Sequence, residues 1–199
     1  KATVKQQPGS SIKPILDYGM AYKYLDWCTG HTVKDEPIEA GIKNWDNQFH
    51  GSMTISEALE NSWNIPAYTT FQEVKKVAGS KNLTEDLESL GIDMSDQDPD
   101  LPDSYAIGGW STGVSPVEMA GAYATVANNG KYIESHTVNY IEVAKDNETI
   151  KVDEQLQKKA TNSIGEDVSF MIRETMLSYT SNGSGSYAYL NGIDNIGAK

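Results

Sequence analysis

Cysteine is nearly missing from this chain of 199 residues, with Cys28 standing alone. A single thiol excludes an internal disulfide and any multi-cysteine zinc site. Histidine is scarce as well, and His31, His50 and His136 fall at no ligand spacing, so no metal site is expected and no cofactor is implied. No apolar run approaches the roughly 20 residues of a membrane helix. No charged-then-apolar leader opens the chain, so any targeting segment or membrane anchor is expected outside it. Positive charge is in deficit: 16 Lys and Arg stand against 28 Asp and Glu, a formal net charge of −12 and a pI near 4.6. Such a surface repels a phosphate backbone, which argues against nucleic acid as a partner. What remains, at 38% hydrophobic and 22% charged residues, suits one globular domain with a core.

Strand signal is thin and helix signal is strong. Thr54-Ile55-Ser56-Glu57 is a capping box whose helix carries Ile55, Ala58 and Leu59 on one face. Pro66 is expected to hold Ile65 out of that helix and end it near Asn64. A second helix is predicted from Pro66 to Gly79, with Ala67, Phe71, Val74 and Ala78 inward. Ser115-Pro116-Val117-Glu118 joins a capping box to a first-position proline, before Met119, Ala122, Tyr123 and Val126. Another helix is predicted from Ser163, burying Val168, Met171, Ile172, Thr175, Met176 and Tyr179. Residues 132–145 and 149–152 read as two short β segments, 29–51 and 92–106 as irregular surface loops, and 181–186 as a flexible connector. One further strand is possible at the end of the chain. The expected fold class is α+β and mostly helical.

Three short stretches carry chemistry. Ser10 and Lys13 lie almost one helical turn apart, just past the Pro8-Gly9 break. A hydroxyl beside an amine fits a nucleophile and its base, and it fits equally a helix cap followed by a solvated lysine. Ile12, Leu16, Met20 and Tyr24 would bury that helix, and desolvation drives a buried amine toward its neutral, basic form. Ser62-Trp63-Asn64 places a hydroxyl and an amide at a helix end, where both can face one cleft or simply close an ordinary turn. Ile196-Gly197-Ala198-Lys199 ends in an amine that either reaches the same cleft or is solvated.

Taken in order, these stretches resemble the penicillin-recognising serine enzymes. Pro8-Gly9-Ser10-Ser11-Ile12-Lys13-Pro14 resembles the PGSxxKP phrase of high-molecular-weight penicillin-binding proteins, and Ser62-Trp63-Asn64-Ile65-Pro66-Ala67 their S-x-N stretch. Ser115-Pro116-Val117-Glu118-Met119-Ala120 with Ala122-Tyr123-Ala124-Thr125 resembles the family's TPLEMA…AYAT helix. Ala106-Ile107-Gly108-Gly109 is closer to the class A than to the class B proteins.

The resemblance implies that Ser10 is the acylated nucleophile, Lys13 its base, Ser62 a proton shuttle and Lys199 the lysine of K-T-G. Asn64 would hold the substrate, and Trp63 would either shape which stem peptide fits or pack. The implied partners are peptidoglycan stem peptides ending in D-Ala-D-Ala and β-lactam antibiotics, at the extracytoplasmic face of a bacterial membrane. The threonine and glycine of K-T-G do not follow Lys199. Residues 1–199 therefore read as one partial transpeptidase domain, its helical middle, lacking most of the antiparallel sheet and inactive alone. Self-association through the uncovered helix face, or companion fragments of the same domain, are expected. A sensor-type or non-catalytic penicillin-binding module remains the alternative. No obvious deacylating carboxylate points to a β-lactamase.

Overall fold

The computed structural model describes residues 1–138, 144–145, 148–149, 159–188, 190–193 and 196–199. At its centre lies a helix that changes pitch. Gly9–Ile12 form a 3-10 turn, Pro14–Gly19 a π-helical segment and Met20–Tyr24 (α1) an α-helix. Pro14 opens the π segment, where its missing N–H costs least. Gly19 is demanded by packing, because a Cβ there would lie 2.8 Å from both Ile172 Cδ1 and the Pro14 carbonyl oxygen. Ile12, Leu16 and Met20 are buried as the stripe predicts, and Tyr24 is half-buried against them.

The capping box at Thr54 forms and starts helix α2, Ile55–Glu60. The predicted boundary beyond it is wrong in detail. Helix α2 stops at Glu60, and α3, Asn64–Ser89, already includes Ile65, with Pro66 inside its first turn. First-turn N–H groups have no intrahelical partner, so a proline there begins a helix as readily as it stops one. The helix is interrupted at Gly79 (φ 75°, ψ 152°), as predicted, and then resumes to Ser89. Ser115 caps α4, Pro116–Ala127, through the second capping box. Helix α5, Glu166–Asn182, starts from Gly165, and the Ser163 hydroxyl bonds Ser89 Oγ at 2.5 Å instead of capping it. Val168, Ile172, Thr175 and Met176 are buried on α5, whereas Met171 and Tyr179 are only partly so. Helix α5 packs on α2, on α4 and on the π segment, and α3 also packs on residues 14–24.

Strands are few and short. Thr32–Asp35 (β1) pairs antiparallel with Gly51–Thr54 (β2), Val33 opposite Met53 and Asp35 opposite Gly51. Lys131–Tyr132 (β3) pairs with Thr161–Asn162 (β6), and Ala144–Lys145 (β4) forms a hairpin with Glu148–Thr149 (β5). Of the β segments predicted over 132–145 and 149–152, residues 139–143 and 150–152 lie outside the described residues; Tyr132, residues 144–145 and Thr149 are in strands, whereas 133–138 are not. Residues 196–199 carry no strand pairing among the described residues.

Three predicted loops prove to be structured. Residues 29–51 contain β1 and the buried Asp35 and Asn44. Residues 92–106 bury Ile92, Met94, Leu101 and Tyr105, and Tyr105 stacks on Trp110 at 4.8 Å. The 181–186 stretch is packed rather than flexible. A Cβ on Gly183 would fall 2.4 Å from the Glu60 carbonyl oxygen, and Ser184 Oγ donates to that same oxygen at 2.8 Å. Here glycine serves close approach, which composition alone cannot separate from flexibility. The fold is mostly helical with small sheets, as expected. An apolar groove of about 610 Å³ lies open beside α4 and α5, lined by Tyr123, Val126, Phe170, Met176 and Ile196.

Candidate active site

The site is built on the end of α2. Ser62 N–H donates to Leu59 O at 2.9 Å and Trp63 N–H to Ala58 O at 3.0 Å, the paired bonds of a Schellman turn. Such a turn wants glycine at the left-handed position, yet Ser62 holds it with φ 59°. A non-glycine residue there stores about 1 kcal/mol of backbone strain. The turn leaves the carbonyls of Ser62 and Trp63, the Ser62 hydroxyl and the Asn64 amide all facing one point.

Lys13 occupies that point. It is fully buried, and its amine donates to Ser62 O (2.7 Å), Asn64 Oδ1 (2.8 Å), Trp63 O (3.3 Å) and Ser62 Oγ (3.4 Å). Burial pushes the amine down to about 8, against the opposing pull of the Asp17 carboxyl. Near pH 8 about half of the side chain is therefore neutral and able to take a proton. Asp17 is itself wholly buried, with neither oxygen partnered among the described residues, and burial holds its carboxyl well above the usual range.

Ser10 sits half-buried in the 3-10 turn, and its carbonyl accepts the Lys13 backbone N–H. All the hydrogen bonds of the Lys13 amine go to residues 62–64 and none to Ser10 among the described residues. Two anchors fix this turn. Tyr123 of α4 donates to Ser11 O at 2.7 Å. Gly108, at φ 85°, presses so closely on Gly9 that a Cβ would fall 2.2 Å from its N and Cα.

Lys199 reaches the back of the same region. Its amine donates to Leu59 O at 3.1 Å and lies 4.3 Å from the Tyr179 ring centroid. Burial first, and then the charge of Lys13, push it down to about 7. Trp63 is buried and stacks on His50 at 3.9 Å and on Trp45 at 5.4 Å. Among the described residues no group of acidic, histidine or cysteine side chains could hold a metal ion.

The sequence reading missed the residues behind the Ser62–Asn64 turn. Asn44 Oδ1 accepts Asn64 N–H at 2.9 Å, while the Asn44 amide nitrogen lies 2.9 and 2.7 Å from the two oxygens of Asp35. One signal for them exists. Period two along Thr32–Asp35 puts Asp35 on the inner face with Val33, where a charged group must find partners.

The chain matches the penicillin binding protein transpeptidase domain over residues 2–199. It is 34% identical over 199 residues to penicillin-binding protein 1A/1B of Bacillus subtilis, covering 97% of this chain and 21% of that protein. It is 30% identical over 201 residues to penicillin-binding protein 1A of Streptococcus pneumoniae, covering 95% of this chain and 26% of that protein. These relatives agree with the class A resemblance. The chain thus spans about a fifth to a quarter of the length of these curated relatives. Its fold matches the D,D-transpeptidase domain of the peptidoglycan glycosyltransferase from Eggerthella lenta with a TM-score of 0.73 at 20% identity, covering 97% of this chain and 53% of that one. It also matches penicillin-binding protein A from M. tuberculosis, solved as an imipenem acyl-enzyme complex, with a TM-score of 0.74 at 15% identity and 96% and 48% coverage. With a matched domain running from residue 2 to residue 199 and a buried lysine held on its S-x-N turn, this chain belongs to the transpeptidase family of penicillin-binding proteins.

Proposed function

We propose that this chain carries the serine–lysine centre of a peptidoglycan D,D-transpeptidase. One observation supports the reading above others: the Lys13 amine is buried, depressed to about 8 and aimed by the Ser62–Asn64 turn, one helical turn from Ser10. In this reading neutral Lys13 takes the Ser10 proton as Oγ attacks the carbonyl of the penultimate D-Ala of a stem peptide. The peptide C–N bond breaks, the departing D-Ala amine collects a proton through Ser62, and an acyl-ester remains on Ser10. The amine of a neighbouring strand then attacks the ester, forming the cross-link and restoring Ser10 and Lys13. Asn64 holds the substrate backbone, and Lys199 supplies positive charge for its carboxylate. A β-lactam follows the first half of this course: its amide bond opens, the ring nitrogen takes the proton and the ester persists.

Turnover on this reading needs parts of the domain outside the chain, since residues 1–199 span 53% of the Eggerthella lenta transpeptidase domain. No helix among the described residues is long and apolar enough to cross a membrane. The protein acts at the extracytoplasmic face of the bacterial membrane, where its substrate lies. Incubating the complete domain with a D-Ala-D-Ala stem peptide and an amine acceptor tests the activity. Release of D-Ala with matching acceptor-coupled product is expected, and is lost in Ser10→Ala. Stable acylation by penicillin with neither release nor coupling would make the protein a sensor instead.

A further inference from the structure

We propose that Asp35 and Asn44, far from the three motifs in sequence, are positioning residues that set the Ser62–Asn64 turn and through it the Lys13 amine. Helix α3 begins at Asn64 with no cap from its own flank, because the side chain of Trp63 makes no capping bond. Its first N–H groups are satisfied from twenty residues upstream instead. Asn44 Oδ1 accepts Asn64 N–H at 2.9 Å and Ile65 N–H at 3.4 Å. The adjacent carbonyl of Lys43 accepts Asn64 Nδ2 at 2.9 Å, which turns the Asn64 Oδ1 toward Lys13 Nζ, 2.8 Å away. The dipeptide 43–44 therefore fixes both the backbone and the amide of Asn64.

Asp35 fixes the dipeptide. Both its oxygens lie within 2.9 Å of the Asn44 amide nitrogen, and one also accepts His50 N–H at 2.9 Å. The remaining reach of that nitrogen goes to Gln48 O, 2.9 Å away. Asp35 is wholly buried and Asn44 is 3% exposed. A carboxylate of that burial is costly unless hydrogen-bonded, and its three contacts here all tie the 44–50 segment to β1. The chain of contacts runs Asp35, Asn44, Asn64, Lys13 without a gap. A fold-stabilising network needs no such termination on an amine, and that distinguishes this one from an ordinary cap.

The catalytic meaning rests on the proposed acyl transfer, but the coupling to Lys13 can be read without it. Among the described residues the other titratable groups that face Lys13 are Asp17 on its own helix and Lys199 at the end of the chain. Neither touches Asn44. Titration of the Lys13 side-chain carbon next to its amine, followed by NMR in the 199-residue chain, is the test. In Asn44→Ala the midpoint should fall by about half a pH unit or more, because the charged amine loses its aimed Asn64 acceptor. Asp35→Asn, which keeps the volume and weakens the hold on Asn44, should move it the same way. Asp35→Asn also carries the test if Asn44→Ala fails to fold. Lys81→Ala, on an exposed face of α3, should leave the midpoint in place. An unmoved midpoint in a folded variant of either residue overturns the inference. In the complete domain, penicillin acylation should slow about tenfold or more in Asn44→Ala. A midpoint that shifts in the variants, together with a wild-type domain that is never acylated, would support the coupling and overturn the transpeptidase reading alone.

Discussion

Ser62 occupies a backbone position that suits glycine, and it does so at the point where the Lys13 amine is bound. Backbone strain of this kind often clusters at functional sites, and here it lies where the Lys13 amine binds. Ser62→Gly should therefore raise stability by about 1 kcal/mol in denaturant melts while lowering penicillin acylation of the complete domain. A variant that loses stability would show that the hydroxyl is there for the fold. Asp17 poses a related case. Burial raises its carboxyl well above the ordinary value, so its contribution is fully present below about pH 4 and lost as pH rises toward the folded value. Lys13 and Lys199 work in the opposite sense: their depressed values favour the fold above the ordinary lysine range and lose that benefit as pH falls through about 8 and about 7. Between about pH 5 and 6 about nine-tenths or more of each lysine is charged, and Asp17 dominates the difference. Asp17→Asn should flatten the fall in melting temperature across that window. A parallel fall in wild type and variant would mean that Asp17 is not the group responsible.

At the scale of elements, the turn before Ser10 is held by contact rather than by hydrogen bonding alone. Gly108 abuts the Gly9 backbone, and its left-handed conformation adds a second demand for glycine. Gly108→Ala should cost about 2 kcal/mol or more, measured by denaturant unfolding, and should slow acylation further as the Ser10 turn shifts. A variant of unchanged stability would contradict the contact. How much of this could be read from sequence depended on locality. The capping boxes at Thr54 and Ser115 are written within four residues each, and both form as predicted. The stripes on α3, α4 and α5 follow from a 3.6-residue period: Ala67, Phe71, Val74 and Ala78 are buried on α3, four of the six named residues on α5, and Ala122 and Val126 on α4, where Met119 and Tyr123 are only partly so. Pro66 misled because a proline inside a first turn and one after a last turn look alike in sequence. The 29–51 segment misled for a different reason. Asn44 caps α3 across twenty residues, and no local pattern records a cap supplied from another element.

For the whole molecule, the deficit of cysteine, histidine and positive charge narrowed the classes, and ordered phrases across the chain pointed to one family. Contact between Lys13 and the S-x-N turn was implied by that resemblance and could not be computed from spacing, since the residues are about fifty positions apart. The apolar groove beside α4 and α5 arises only from packing, because its lining residues come from separate helices and from the end of the chain. The central claim is acylation at Ser10, with Lys13 as the buried amine that deprotonates it. The most direct test is the intact mass of the complete transpeptidase domain after penicillin, with Ser10→Ala and Lys13→Met alongside. One stable penicilloyl adduct is expected, localised by peptide mapping to Ser10, absent in Ser10→Ala and strongly slowed in Lys13→Met. A folded wild-type domain that gains no mass, or an adduct that persists in Ser10→Ala, would contradict it.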